Sequence, residues 1–228
     1  MIARSSNRYR LLFLQKGAAT VEFYVVSFFV FIPMVMAVLQ MGLFFVAKNT
    51  VNMATLAAAR AGAATGGDKM TMRNTFAKAI VPLYIDSTKE ITTGNYASVM
   101  LPAYAKAGAD ILLFSSITTL NPTAKSFADF GIPKPGGGGR IIPTTNLDTY
   151  KTGVGSSSKQ TRAEALLLKI EVRYCYELKM PIVDKLVTSV LMGLGSSAQD
   201  NLCFAANRIP IKAQAVVRMT EPPQAGNF

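Results

Sequence analysis

The hydrophobic positions of this chain change period along its length, and each period predicts an element. From Phe23 to Ala47 runs an uncharged stretch of 25 residues, FYVVSFFVFIPMVMAVLQMGLFFVA, closed by Lys48. As a helix it would be about 37 Å long, against a bilayer hydrocarbon core of about 30 Å. Pro33 and Gly42 interrupt it, as membrane helices tolerate. Beyond it, NTVNMATLAAARAGAA lacks proline and is rich in alanine, so the helix is expected to run on until Gly66-Gly67 stops it. One helix spanning residues 18–65, apolar at one end and amphipathic at the other, is the result.

The outer part, residues 66–221, mixes two periods. Met72, Phe76, Ile80 and Leu83 recur at helical spacing opposite Lys69, Arg73 and Lys78, predicting an amphipathic helix that ends near Pro82. Tyr96 to Leu120 is apolar-rich, with Val99, Ala103 and Ala107 on one side and a kink or break expected at Pro102. Ile117–Thr123 and Phe127–Gly131 read as a turn and a short docking segment. Gly, Pro, Ser and Thr then dominate from Gly131 to Ser158, marking a long surface loop.

The last third alternates instead. Ile170, Val172, Tyr174, Tyr176 and Leu178 interleave with Glu171, Arg173, Cys175, Glu177 and Lys179, the signature of a half-buried strand. Ile209, Ile211, Ala213, Ala215, Val217 and Met219 form a second such run. The two are expected at the centre of a small antiparallel sheet whose apolar face the long helix covers. Between them, Asp184–Leu194 reads as a short helix, with Leu186, Val187, Val190, Leu191 and Leu194 against the sheet or the membrane. The tail from Pro222, residues 222–228, is expected to be unstructured. The fold class is therefore α+β: a long N-terminal transmembrane helix continuing into a domain of further helices and a small sheet.

Composition changes this picture by exclusion. The 228 residues include no histidine, no tryptophan and two cysteines, so histidine general bases, zinc sites and Cys/His nucleophile pairs cannot be built from this chain alone. The thirteen acids are spread too thinly to nominate a general acid/base couple, and neither a metal nor a cofactor is expected. The Gly136–Gly139 run does not continue into Gly-Lys-Ser/Thr, and Gly62-x4-Gly67 is followed by Asp68 rather than lysine, which argues against a phosphate cradle. The net charge of +11 is partly local: Arg4, Arg8, Arg10 and Lys16 stand in the first sixteen residues with no acid, and without them 20 basic groups face 13 acidic ones. The rest is scattered, without the basic stripe of a nucleic-acid binder. A basic segment before an apolar span stays in the cytoplasm by the positive-inside rule, placing residues 49–228 outside the inner membrane, in the periplasm.

Cys175 and Cys203 would then face an oxidising compartment. A bond between them would close a loop of about 28 residues and contribute about 3 kcal/mol by the chain-entropy model; the alternative is two unpaired buried thiols. Cys175 falls on the polar side of its strand, where a free thiol has little packing reason to be.

Glu22 is the anomaly. It is the only acid in the first 67 residues and lies at the cytoplasmic edge of the apolar run, where an ionised group is costly unless partnered. A secretory signal would have a shorter apolar core and a small-residue cleavage site; an uncleaved signal anchor carrying an envelope enzyme or ligand-binding domain is the rival to any processed form. The residues around it, Gln15-Lys16-Gly17-Ala18-Ala19-Thr20-Val21-Glu22-Phe23, resemble the class III leader of type IV pilin-like proteins. The Ala-Ala-Thr-Val-Glu-Phe start and the Ala58-Ala59-Arg60-Ala61-Gly62-Ala63 end resemble TadE-like pseudopilins of the tight adherence (Tad/Flp) pilus system.

That resemblance implies removal of residues 1–17 by a prepilin peptidase cutting between Gly17 and Ala18, with Glu22 fifth in the mature chain and, with Phe23, serving assembly. It implies a non-enzymatic minor pseudopilin in the inner membrane that takes part in the biogenesis of an adhesive pilus, with incorporation into that pilus as one fate. Its implied partners are the peptidase, a sister pseudopilin, the major pilin, the inner-membrane assembly platform and membrane lipid. Two departures, Phe23 where the major pilins carry tyrosine and the large outer domain, favour a minor subunit over the fibre subunit. Physically, an amine freed on Ala18 would share a helix face with Glu22, at i and i+4, and could neutralise it.

Overall fold

The computed structural model describes residues 18–86, 88–145, 153–180, 189–193 and 198–228. The long helix is continuous: α1 (Ala18–Val26), one π turn (Ser27–Phe31) and α2 (Ile32–Ala64) follow without a break. The π turn lies just before Pro33, whose ring would collide with the carbonyl four residues back in an unbroken α-helix. The wider turn absorbs that collision. At the far end Gly66 and Gly67 take φ of +64° and +91°, and the Gly67 N–H donates to the Gly62 carbonyl at 2.8 Å, a left-handed stop that any Cβ would strain.

The outer domain packs one sheet on this helix. Strands β1 (Ser115–Asn121), β4 (Leu167–Glu177) and β5 (Arg208–Arg218) lie antiparallel in the order β1-β4-β5, while β2 (Ile132–Pro133) and β3 (Arg140–Ile141) make a separate small ribbon. In register Ser115 faces Tyr174 and Leu167 faces Arg218. The inward residues Leu168, Ile170, Val172, Tyr174, Ile211, Ala213 and Ala215 meet Val51, Ala54 and Ala58 of α2 in one core. Small side chains on α2 let the sheet approach closely. Closest of all is Gly62, where an added Cβ would stand 2.6 Å from the sulfur of buried Met72 and 3.0 Å from Leu168.

Helix α3 (Lys69–Ile80) buries Met72, Phe76 and Ile80 as the spacing predicts, and Asp68 caps it by accepting from the Thr71 N–H at 2.9 Å. Helix α4 (Tyr96–Phe114) keeps Pro102 inside it and buries Val99, Ala103, Ala107 and Ile111. It is long and apolar enough to pass for a second membrane span. Its buried face and the ion pair of Asp110 with Arg208 tie it to the domain instead.

Some expectations are corrected. The apolar run that starts at Tyr96 does not end in a turn over Ile117–Thr123: residues 115–121 form β1, because the backbone of β4 offers a second edge and alternating Ser115, Ile117 and Thr119 turn toward the core side. Helix α5 (Ala124–Phe130), capped by Thr123 and Ser126, follows. The segment after Gly131 is not simply a solvated loop, since it carries the β2/β3 ribbon. The Asp129 carboxylate also gathers the Ser157 and Ser158 N–H groups and the Ser158 hydroxyl. The hydrogen bonds from Ser158, first its N–H, hold that carboxyl down at about 2. Residues 146–152 of this loop lie outside the described residues.

Nor is the tail loose. Just ahead of it the Ala63 carbonyl, left open at the end of α2, accepts from the Thr220 and Glu221 N–H groups, both at 3.1 Å, and within it the Gln224 N–H donates to the Gly66 carbonyl at 3.2 Å. Gln224 bridges to Ile141, and the Phe228 ring packs on Phe127 at 5.5 Å. The expected helix at Asp184–Leu194 falls largely outside the described residues; 189–193 are helical.

On the polar face of the sheet, α7 (Ala198–Ala205) docks near β5, after the short α6 (Arg162–Ala165) that leads into β4. Asp200 of α7 receives Lys212 at 2.9 Å and Arg173 at 3.6 Å. Cys175 and Cys203 are bonded, with Cα atoms 5.4 Å apart.

Candidate functional site

Two kinds of place could carry function: a cleft with reactive groups, or a surface left uncovered. The clefts come first. One of about 420 Å³ is lined by Leu113, Phe114, Ser115, Ser116, Arg173, Leu202 and the disulfide. Another, beside Asp129, is lined by residues 153–157. Asp129 spends its oxygens on the Ser157 and Ser158 backbone. Among the described residues no three His, Cys, Asp or Glu side chains come together as a metal site.

A half-buried polar cluster ties the domain together. The Arg208 guanidinium donates to both Asp110 oxygens, at 2.9 and 3.4 Å, and to the Cys175 carbonyl at 3.3 Å, while stacking 3.9 Å over the Phe114 ring. The Tyr84 hydroxyl donates to Asp110 at 2.7 Å and also meets the Tyr174 hydroxyl. Burial, then the Tyr174 hydroxyl and Asp110, pushes the Tyr84 phenol far above its ordinary value, and burial lifts Tyr174 to about 12. Neither phenol is a base near neutral pH, so the cluster is a clasp between α4, β4 and β5.

The uncovered surface is the N-terminal helix. From Thr20 to Leu39 no residue is buried, and Val21, Phe23, Tyr24, Phe28, Phe29 and Phe31 stand free. Glu22 lies in α1 with its side chain exposed, four residues from Ala18, the first described residue of that helix. Gly17 lies outside the described residues. The Phe23 and Tyr24 rings lie edge to face at 6.0 Å.

At Gln40 the character changes. This side chain is only 4% exposed, and its Oε1 accepts the backbone N–H groups of Lys179, at 3.1 Å, and Met180, at 2.9 Å. From there Ala47, Val51, Ala54, Ala58 and Ala63 are buried one turn after another against the domain. Among the described residues, one helix thus has a half with no protein packed on it and a half with one face covered. Sequence reasoning passed over Gln40, although an amide amid an apolar run was the available signal.

No curated protein and no solved structure matches this chain. A family model described as TadE-like protein matches residues 17–60. The match takes in Glu22, the free half of the helix and the covered half as far as Arg60. In this N-terminal segment the chain is similar to TadE-like proteins.

Proposed function

We propose that this protein is a membrane-anchored minor pseudopilin of a Tad/Flp adhesive pilus, structural rather than catalytic. In this reading prepilin peptidase removes residues 1–17 between Gly17 and Ala18. The basic leader faces the cytoplasm, the helix crosses the inner membrane once, and the outer domain stands in the periplasm. The carrying observation is the bare helix from Thr20 to Leu39 with Glu22 near its start. Such a surface is stable only in lipid or against other apolar helices. The new Ala18 amine, on this subunit or a neighbour, neutralises Glu22, and a misplaced neighbour leaves a charge unpaired in low dielectric. Partners follow from the same segment: a sister pseudopilin, the major pilin and the inner-membrane platform.

Intact-mass analysis of membrane-extracted protein tests this. With an active peptidase the mass is expected to fall by that of residues 1–17; without it, the full chain remains. A chain that keeps its leader beside an active peptidase is an uncleaved signal anchor, and the pseudopilin reading is lost. Glu22→Ala is expected to be processed normally but to support no pili, scored as surface pilin. Normal piliation would remove the assembly role of this carboxylate.

A further inference from the structure

The junction at Gln40 locates the bilayer more sharply than the apolar run does. Read by charge alone, the span would extend from Phe23 to Ala47 and emerge at Lys48. The outer domain does not permit that. The backbone of residues 178–180 lies past the end of β4 and is pinned to the helix at Gln40 by the Lys179 and Met180 N–H groups. Irregular backbone is not found facing lipid hydrocarbon. Two charged side chains accompany it: Lys179 and Glu177 form an ion pair at 3.3 Å with side chains 49% and 55% exposed. An emergence at Lys48 would sink Gln40 and this pair about 12 Å below the lipid surface, at 1.5 Å per helical residue.

We propose that the outer hydrocarbon boundary crosses the molecule at Gln40, with Lys179 and Glu177 among the phospholipid headgroups. Only residues 18–39 then lie in lipid, and the helix beyond Met41 rises through headgroups into water. The length agrees: residues 18–39 make a helix of about 33 Å, close to the roughly 30 Å of hydrocarbon. Glu22 moves accordingly. It lies about 27 Å below Gln40, just inside the cytoplasmic edge of the hydrocarbon rather than outside it. The Ala18 end reaches the edge itself, one helix turn away. A charge-neutralising amine is therefore needed at that depth and available there.

This inference rests on reading the helix as a membrane span, and the experiment separates the two. Cysteine is introduced singly at Phe29, Val46 or Met53, whose side chains are 78%, 60% and 68% exposed along the helix. Each full-length variant is reconstituted alone, at high lipid excess, into phosphatidylethanolamine/phosphatidylglycerol vesicles. A membrane-impermeant maleimide is then added before or after detergent, with the unsubstituted chain as blank. Val46 stands about 9 Å beyond Gln40, clear of the headgroup layer. Val46→Cys is expected to react in vesicles as Met53→Cys does, whereas Phe29→Cys reacts only after detergent. If Val46→Cys is protected like Phe29→Cys, the boundary lies at Lys48 and the proposal is overturned while the span survives. If Phe29→Cys reacts in intact vesicles, the span itself is refuted and the boundary with it.

Discussion

Asp110→Ala is expected to cost the outer domain about 3 kcal/mol, the low end of the penalty for leaving one member of a buried ion pair unpartnered, because this pair is only partly shielded from water. The Asp110 and Arg208 side chains are 18% and 12% exposed, so water reaches neither freely. Removing the carboxylate orphans the guanidinium held between the Phe114 ring and the Cys175 carbonyl. It also takes the acceptor from the Tyr84 hydroxyl, which is left with only Tyr174. Three elements lose their common clasp at once. Asp110→Asn keeps acceptor and shape without the charge, and its loss is expected to be smaller. Urea unfolding of the full chain in mild detergent, followed by tyrosine near-UV circular dichroism, measures both. A loss below about 1 kcal/mol for Asp110→Ala, the range of exposed pairs, would show that solvent screens this cluster.

Phe76→Ala is expected to cost a similar amount, about 3 to 5 kcal/mol, by a different route. The ring is fully buried in the core that α2, α3 and the sheet share, edge to face with Tyr174 at 6.4 Å. Deleting it forfeits apolar burial and leaves a cavity that cannot collapse while the helix on one side and β4 on the other hold their spacing. Phe76→Leu retains most of the volume and is expected to cost about 1.5 kcal/mol or less. The same unfolding assay decides; equal losses for the two variants would place the ring outside the packed core. Tyr174 touches both the Phe76 ring and the Asp110 cluster, so the two alanine effects are not independent.

Much of this architecture was legible in the chain because it rests on local periodicity. An uncharged run of membrane length can only be a helix where lipid surrounds it. Met72, Phe76 and Ile80 at helical spacing mark α3, and strict alternation through Ile170 to Tyr176 marks β4 with its inward face. Glu22 stood out because a lone acid beside such a run needs a reason. What escaped was set by partners distant in sequence. Ser115–Asn121 closes an apolar run just before Pro122, and its end reads locally as a turn; it becomes a strand because β4, some fifty residues later, has an edge to fill. Pro222–Phe228 has the look of a loose end and is ordered by the Gly66 carbonyl, which accepts from the Gln224 N–H and the Asn227 side chain, and by Phe127.

By itself, then, the sequence determined that one long helix leads an α+β domain, which face of each strand turns inward, and where an isolated carboxylate meets an apolar span. These follow from side-chain polarity repeated at 3.6 or 2 residues, a property of neighbours along the chain. Tertiary structure alone decided where the bare half of the helix ends, which charges pair and what becomes of Gln40. Those depend on which backbone groups remain unsatisfied once the elements pack, and the Lys179 and Met180 N–H groups that seek out Gln40 lie about 140 residues away from it.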